Sequence, residues 1–224
     1  MEVSGDTRYD QVIKRLSQPS TINFDLSVAP ESKVILCGST WPQDEKIILA
    51  PIVNKITNTA HKLIIAPHEV SEKHITQLKK ELTEKGLKTA LYSETNAWSD
   101  NQALIIDTIG ILATLYEFAD ISFVGGSFKS KVHSVMEPLA CGNLVFVGPK
   151  NSNNREAQVF KNIEALHDIN CVTEIVGAKD IDLYLDQALI SSGYKPLIKD
   201  NVKVKTGATL RLIKQLQENH HERL

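Results

Sequence analysis

The chain has 224 residues, 42% apolar and 23% charged, with 25 basic and 27 acidic side chains and a net charge of −2. That composition suits a globular domain and excludes collagen, coiled coil and disorder as organising principles. The near-neutral balance carries no electrostatic case for a nucleic-acid partner.

No apolar run approaches the length of a membrane span, and the first residues lack the basic flank and apolar core of a secretion signal. Cys37, Cys141 and Cys171 are scattered, with no Cys-x-x-Cys pair, which fits a reducing compartment rather than a disulfide framework or zinc site. In chain order, residues 1–23 are polar and lack a strand–helix rhythm, and Gln18-Pro19-Ser20 reads as a break. Apolar runs bounded by Gly or Pro then predict strands over 34–37, 62–66, 89–92, 103–106, 121–124, 144–147 and 171–175. Helix-like segments lie between them: Ile75, Leu78 and Leu82 share one face, as do Leu183, Tyr184 and Ala188. Residues 193–200, with Gly193, Pro196, Lys199 and Asp200, read as a loop before a last helix from about 202 to 218. Strands alternating with helices predict an α/β fold, a doubly wound, mostly parallel, Rossmann-like sheet. Its strand C-termini would line one edge where ligands bind.

Candidate chemistry falls at those strand ends. After the first strand comes Gly38-Ser39-Thr40-Trp41-Pro42-Gln43-Asp44-Glu45. Here Thr40 reads as a helix cap completed by Gln43, with Pro42 tolerated in the first turn. Gly38 allows close backbone approach, and free N–H groups at the helix start suit a phosphate. Pro51 predicts a kink or end of that helix. The second strand ends in Pro67-His68-Glu69, where His68 and Glu69 are placed to touch a phosphate or hydroxyls; His74 follows too late for a zinc-binding His-Glu-x-x-His. Asp107-Thr108-Ile109-Gly110 repeats the strand-then-turn pattern, with Asp107 as a possible cap.

The densest signal runs from Phe123 to Pro138: a strand, the turn Gly125-Gly126-Ser127, a basic stretch with Lys131, then His133, Ser134 and Glu137 at a helix start. One reading is a nucleotide site, with anion-friendly N–H groups and a carboxylate able to accept bonds from two ribose hydroxyls. The other is structural: Ser134-x-x-Glu137 is itself a capping box, and His133 a hydrogen-bonding support. The residues leave both open. Dinucleotide and Walker spacings are absent, which disfavours dehydrogenase and ATPase readings. Gly148-Pro149 opens a polar loop on the same edge, and His220 and His221 read as a polar tail rather than metal ligands.

At these residues the sequence resembles the Kdo transferases, enzymes that move 3-deoxy-D-manno-octulosonic acid (Kdo) from CMP-Kdo onto a lipid A precursor. The matching pieces keep the family's order. They are Gly5-Asp6-Thr7-Arg8-Tyr9-Asp10, Gly38-Ser39-Thr40, Ala66-Pro67-His68-Glu69, Asp107-Thr108-Ile109-Gly110, Phe123-Val124-Gly125-Gly126-Ser127, His133, Glu137-Pro138, Gly148-Pro149 and Gly207-Ala208-Thr209. The resemblance implies the C-terminal, donor-binding lobe of a two-lobed GT-B glycosyltransferase. Residues 1–23 would be a remnant of the interlobe segment and 24–224 the CMP-Kdo domain.

It implies further that Gly38-Ser39-Thr40 and Gly125-Gly126-Ser127 lie near phosphate and sugar, that Ile109 and Gly110 border the cytosine, and that Glu137 holds the ribose. No metal or cofactor is implied. The catalytic carboxylate, lipid acceptor groove and membrane anchor would belong to an N-terminal lobe, so no catalytic residue is assigned here. The isolated chain is expected to bind CMP weakly and transfer nothing; the full enzyme would work at the cytoplasmic face of a bacterial inner membrane. Two departures stand out: many members have Arg-His where this chain has His68-Glu69, and Gly-His-Asn where it has Val132-His133-Ser134. The rival readings are a GT-B lobe for a UDP-sugar and a non-catalytic nucleotide-binding or interaction module.

Overall fold

The computed structural model describes residues 5–19, 22–98 and 100–218, together with the backbone of 219–221. Seven strands form one sheet: β1 (Val34–Thr40), β2 (Lys62–Pro67), β3 (Thr89–Leu91), β4 (Ala103–Ile105), β5 (Ile121–Val124), β6 (Leu144–Val147) and β9 (Val172–Glu174), in the order β3-β4-β2-β1-β5-β6-β9. Every pairing in it is parallel. A small antiparallel pair, β7 (Glu164–Leu166) and β8 (Ile169–Asn170), stands apart. Each expected strand is present, and the reason is burial on both faces. Ile35, Cys37, Leu63 and Ile65 enter one core, while Val34, Leu36, Ile64 and Leu104 enter the other.

The helices are α1 (Thr7–Leu16), α2 (Pro42–Ile56), α3 (Glu72–Glu84), α4 (Leu112–Leu115), α5 (Met136–Ala140), α6 (Arg155–Phe160), α7 (Ala178–Ile190), α8 (Tyr194–Lys203) and α9 (Ala208–His221). None is long and apolar enough to cross a membrane, among the described residues. In α3, Ile75, Leu78 and Leu82 are buried as expected.

Several expectations need correction. The core face of α7 is Ile181, Leu185 and Ala188, at steps of four and three; Leu183 lies one position off that stripe and is exposed. Residues 193–200 are not a loop. Gly193, at φ 83°, starts α8, whose first turn holds Pro196 without needing its missing N–H, and whose Tyr194, Ile198 and Val202 are buried at four-residue spacing. The final helix therefore begins after Gly207, at Ala208. Nor does Pro51 end α2, which runs on to Ile56 because Ile52, Val53 and Ile56 are buried beyond it. Those apolar contacts outweigh the roughly 3 kcal/mol a mid-helix proline costs.

The N-terminal segment holds α1, absent from the sequence reading, with Tyr9 and Val12 in the larger core. Asp6 caps it, accepting from the Arg8 N–H at 3.0 Å. Its Asp10 carboxylate accepts from the N–H groups of Gly207 at 2.6 Å and Thr209 at 2.7 Å, so it caps α9. The first and last motifs of the family-like series are thus one physical clasp.

Candidate functional site

The chain lays β1 to β4 on one side of the sheet, then returns to place β5, β6 and β9 on the other. The switch lies between β1 and β5, and ligands of open parallel sheets bind outside the strand C-termini there. At the end of β1, Ser39 has φ 54° and the pairing with β2 slips between Gly38 and Thr40. A left-handed serine is uncommon and persists only where its surroundings enforce it.

Thr40 does not cap α2. It is still part of β1, and its hydroxyl donates to Glu45 Oε1 at 2.8 Å. The N-cap is Trp41, whose N–H is accepted by Asp44 Oδ2 at 2.9 Å. Asp44, wholly buried, is the residue the sequence reading missed. Its Oδ2 also accepts from the Gly126 N–H at 2.8 Å, and its Oδ1 from the Phe128 N–H at 3.1 Å. A carboxylate of the chain itself therefore fills the anion position of the Gly125-Gly126-Ser127 turn, and the N–H groups of Gly126 and Phe128 do not face a phosphate.

The glycines answer to the protein as well. A Cβ on Gly38 would collide with the Tyr116 hydroxyl, one on Gly125 with the Ser39 carbonyl, and one on Gly126 with the Lys131 carbonyl. Ser127 is buried and accepts from the Gly148 N–H at 2.6 Å. The available signal for Asp44 was an acidic residue three positions after Trp41, at the third residue of a helix opened by Pro42.

Above these turns sits a ring cluster. His68 stacks on Trp41, with centroids 4.5 Å apart, and on His133, 4.6 Å apart. Trp41 Nε1 donates to His133 Nε2 at 3.3 Å. Rings on opposite faces of His68 would be separated by about 7 Å, twice a stacking distance. Trp41 and His133 are therefore edge to edge, and His68 lies across both. The Lys129 ammonium stands over the Trp41 ring. Burial, then the neighbouring His68, holds the His133 imidazole below its ordinary value, so it is an acceptor at Nε2. Glu69 contributes its carbonyl, facing His74 Nδ1 at 3.3 Å.

Asp107 is not a helix cap. It accepts from the N–H of Ser93 at 3.0 Å and from its hydroxyl at 2.5 Å, tying the ends of β3 and β4 together. Ile109 is 82% exposed. Gly110, at φ 92°, borders a hollow of about 290 Å³ shared with Arg15 and Glu117.

A larger cleft, about 560 Å³, opens between α1 and the loops after β5 and β6. Lys131, His133, Ser134 and Glu137 of the expected set line it, together with Arg8, Arg15, Asn153, Asn154, Arg155 and Glu156. Gly38, Ser39, Thr40, His68, Glu69, Ile109, Gly110, Gly125, Gly126 and Ser127 are not among its lining residues. The Glu137 side chain is 16% exposed; it accepts from Ser134 Oγ at 2.5 Å and from Arg15 Nη1 at 3.3 Å. The N-cap of its helix is Val135 rather than Ser134. Glu137 is thus tied to its own helix start through a side chain while facing the cleft.

Asp180-Ile181-Asp182 is one Asp-x-Asp spacing, but Asp180 accepts from the N–H of Val176 at 2.7 Å and Asp182 faces Lys55. Among the described residues no His, Cys, Asp and Glu group gathers as a metal site; the His220 and His221 side chains lie outside them.

No protein-family profile matches the chain. Curated proteins do. It is 28% identical over 152 residues to the 3-deoxy-D-manno-octulosonic acid transferase of Chlamydophila psittaci, covering 66% of this chain and 34% of that protein. It is 25% identical over 209 residues to the enzyme of that name from Chlamydia muridarum, covering 91% of this chain and 44% of that protein. The chain is a relative of the Kdo transferases. It spans a third to under half of the length of those relatives.

Among solved structures, the C-terminal CMP-Kdo binding domain of WaaA from Acinetobacter baumannii superposes with a TM-score of 0.66 at 18% identity, covering 88% of this chain and 98% of that one. The glycosyltransferase VinC in complex with dTDP gives 0.53 at 12% identity, covering 89% of this chain and 45% of that one. The fold is one Rossmann-like lobe of the GT-B glycosyltransferases.

Proposed function

We propose that the chain is the donor-binding lobe of a Kdo transferase, holding CMP-Kdo for attack by a hydroxyl of a lipid A precursor. The acceptor groove, the catalytic carboxylate and contact with the inner membrane's cytoplasmic face would be supplied by a lobe outside this chain. The reading is carried by the cleft in a chain whose curated relatives are Kdo transferases. It sits at the strand C-terminal edge, with the Glu137 carboxylate turned toward it and cations on its walls. A carboxylate there accepts from both ribose hydroxyls once it exchanges Arg15 and Ser134 for them.

His68 is no substitute for a phosphate-binding arginine, because it is engaged by two rings and an imidazole lacks the guanidinium's forked donors. Two departures from the resemblance-based site follow: the Gly126 and Phe128 N–H groups serve Asp44, and Gly38 serves Tyr116.

Calorimetric titration with CMP, UMP and UDP tests the reading. CMP is expected to bind most tightly, and Glu137→Gln to weaken it about tenfold. Tighter UDP binding would favour a UDP-sugar lobe, and no binding at millimolar concentration a non-catalytic module. The chain alone is expected to transfer nothing.

A further inference from the structure

The cleft's ion pairing leaves a remainder. Arg8 is committed to Asp6 and Glu156, at 2.6 Å each, and Arg15 to Glu137. That uses both carboxylates lining the cleft. Lys131 and Arg155 line the same cleft, and neither forms an ion pair with a described residue. Among the lining residues four cations face two carboxylates, an excess of two charges, and Asp6 beside Arg8 reduces it to one.

Arg155 is also held in place. It is the first residue of α6, capped by Asn154, whose Oδ1 accepts from the Ala157 N–H at 2.8 Å while its Nδ2 donates to the His133 carbonyl at 2.9 Å. Asn153 Nδ2 donates to the Val132 carbonyl at 3.3 Å. Two asparagines thus bind the loop carrying Arg155 to the loop carrying Lys131 and His133. Arg155 is fastened at its backbone and its guanidinium forms no ion pair with a described residue, although it also borders the neighbouring hollow that holds Asp6.

A CMP-linked ulosonic acid carries two separated anions, the phosphodiester and the sugar's carboxylate; a CMP-linked neutral sugar lacks the second, and CMP holds its charge on the phosphate alone. Planar guanidinium matches a carboxylate through two parallel N–H donors, whereas an ammonium is a point charge suited to a phosphate oxygen. Resting on the donor-lobe reading, we propose that Arg155 recognises the carboxylate of the transferred sugar and Lys131 the phosphate. The α6 N-terminal arginine is then the residue that separates an acidic sugar donor from a neutral one.

The test is titration of the whole chain by tryptophan fluorescence with CMP and with CMP-Kdo, Trp41 lying against His133 at the cleft wall. The unaltered chain is expected to bind CMP-Kdo more tightly than CMP. Arg155→Gln should weaken CMP only slightly, through the lost wall charge, and CMP-Kdo about tenfold or more, erasing the preference; Arg155→Lys should fall between. Lys131→Gln should weaken both ligands alike. Retained CMP binding in Arg155→Gln also certifies its fold. A CMP-Kdo to CMP ratio unaltered in Arg155→Gln, or an equal loss of both, overturns the assignment while leaving the donor-lobe reading intact. No binding of CMP by the unaltered chain overturns both.

Discussion

Asp44 is the most consequential single side chain at the sheet edge. One carboxylate, wholly buried, takes N–H groups from the start of α2 and from the turn after β5, at 2.9, 2.8 and 3.1 Å. Hydrogen bonds to a charged acceptor are worth about 1.5–3 kcal/mol each and add imperfectly. Asp44→Ala removes all three and orphans the buried Gly126 N–H, so the expected loss is about 3–5 kcal/mol. Asp44→Asn keeps one oxygen. Oδ2 serves Trp41 and Gly126 while Oδ1 serves Phe128, so the amide NH2 must face at least one N–H, for a loss of about 1–3 kcal/mol.

Urea unfolding followed by circular dichroism reads this directly. With a slope near 3 kcal/mol per molar, the midpoint should drop by about 1 M or more for alanine and about 0.3–1 M for asparagine, the slope unchanged. An asparagine variant unfolding at the native midpoint would refute the claim that the carboxylate is the anion of this turn.

Three further outcomes follow from the packing. Gly38→Ala should destabilise by about 1–3 kcal/mol, because its Cβ meets the Tyr116 hydroxyl; Gly38→Ala combined with Tyr116→Phe should recover much of that, and strict additivity of the two changes would count against the collision. Burial pushes the Asp10 carboxyl up, and the Thr209 and Gly207 N–H groups more than reverse it, leaving it below its ordinary 3.8. A depressed carboxyl stabilises the fold above its unfolded value, and that share is lost as pH falls through the folded value; acid below about pH 4 should thus loosen α9 first. Hydrogen exchange at Thr209 checks this, with equal protection in Asp10→Asn as the contrary result. In NMR titration His133 should titrate below 6.5 and move upward in His68→Ala, since burial and the His68 charge hold it down; a downward move would contradict the stacking arrangement.

The strands were legible because burial on both faces leaves an uninterrupted apolar run, as in Leu144–Val147, that needs no partner to be recognised. Helix α8 was hidden because Gly193 and Pro196 are punctuation in sequence and a start signal in space. Helix α1 is short, and its two buried residues find their core only in the folded chain. At the site, the order of glycines and polar residues located the sheet edge correctly but not what each does. Whether a glycine admits a ligand or a neighbouring tyrosine depends on Tyr116, far away in sequence. Whether a turn's donors are vacant depends equally on Asp44.

The clasp between Asp10 and the start of α9 sets the smallest piece that can stand alone. A fragment trimmed to begin at β1 would lose the Asp10 carboxylate that the Gly207 and Thr209 amides use, uncover the seats of Tyr9 and Val12, and release Glu156 and Glu137 from their arginine partners. The α1 helix is a wall of the cleft, and shortening the chain from the front would dismantle the pocket before touching the sheet.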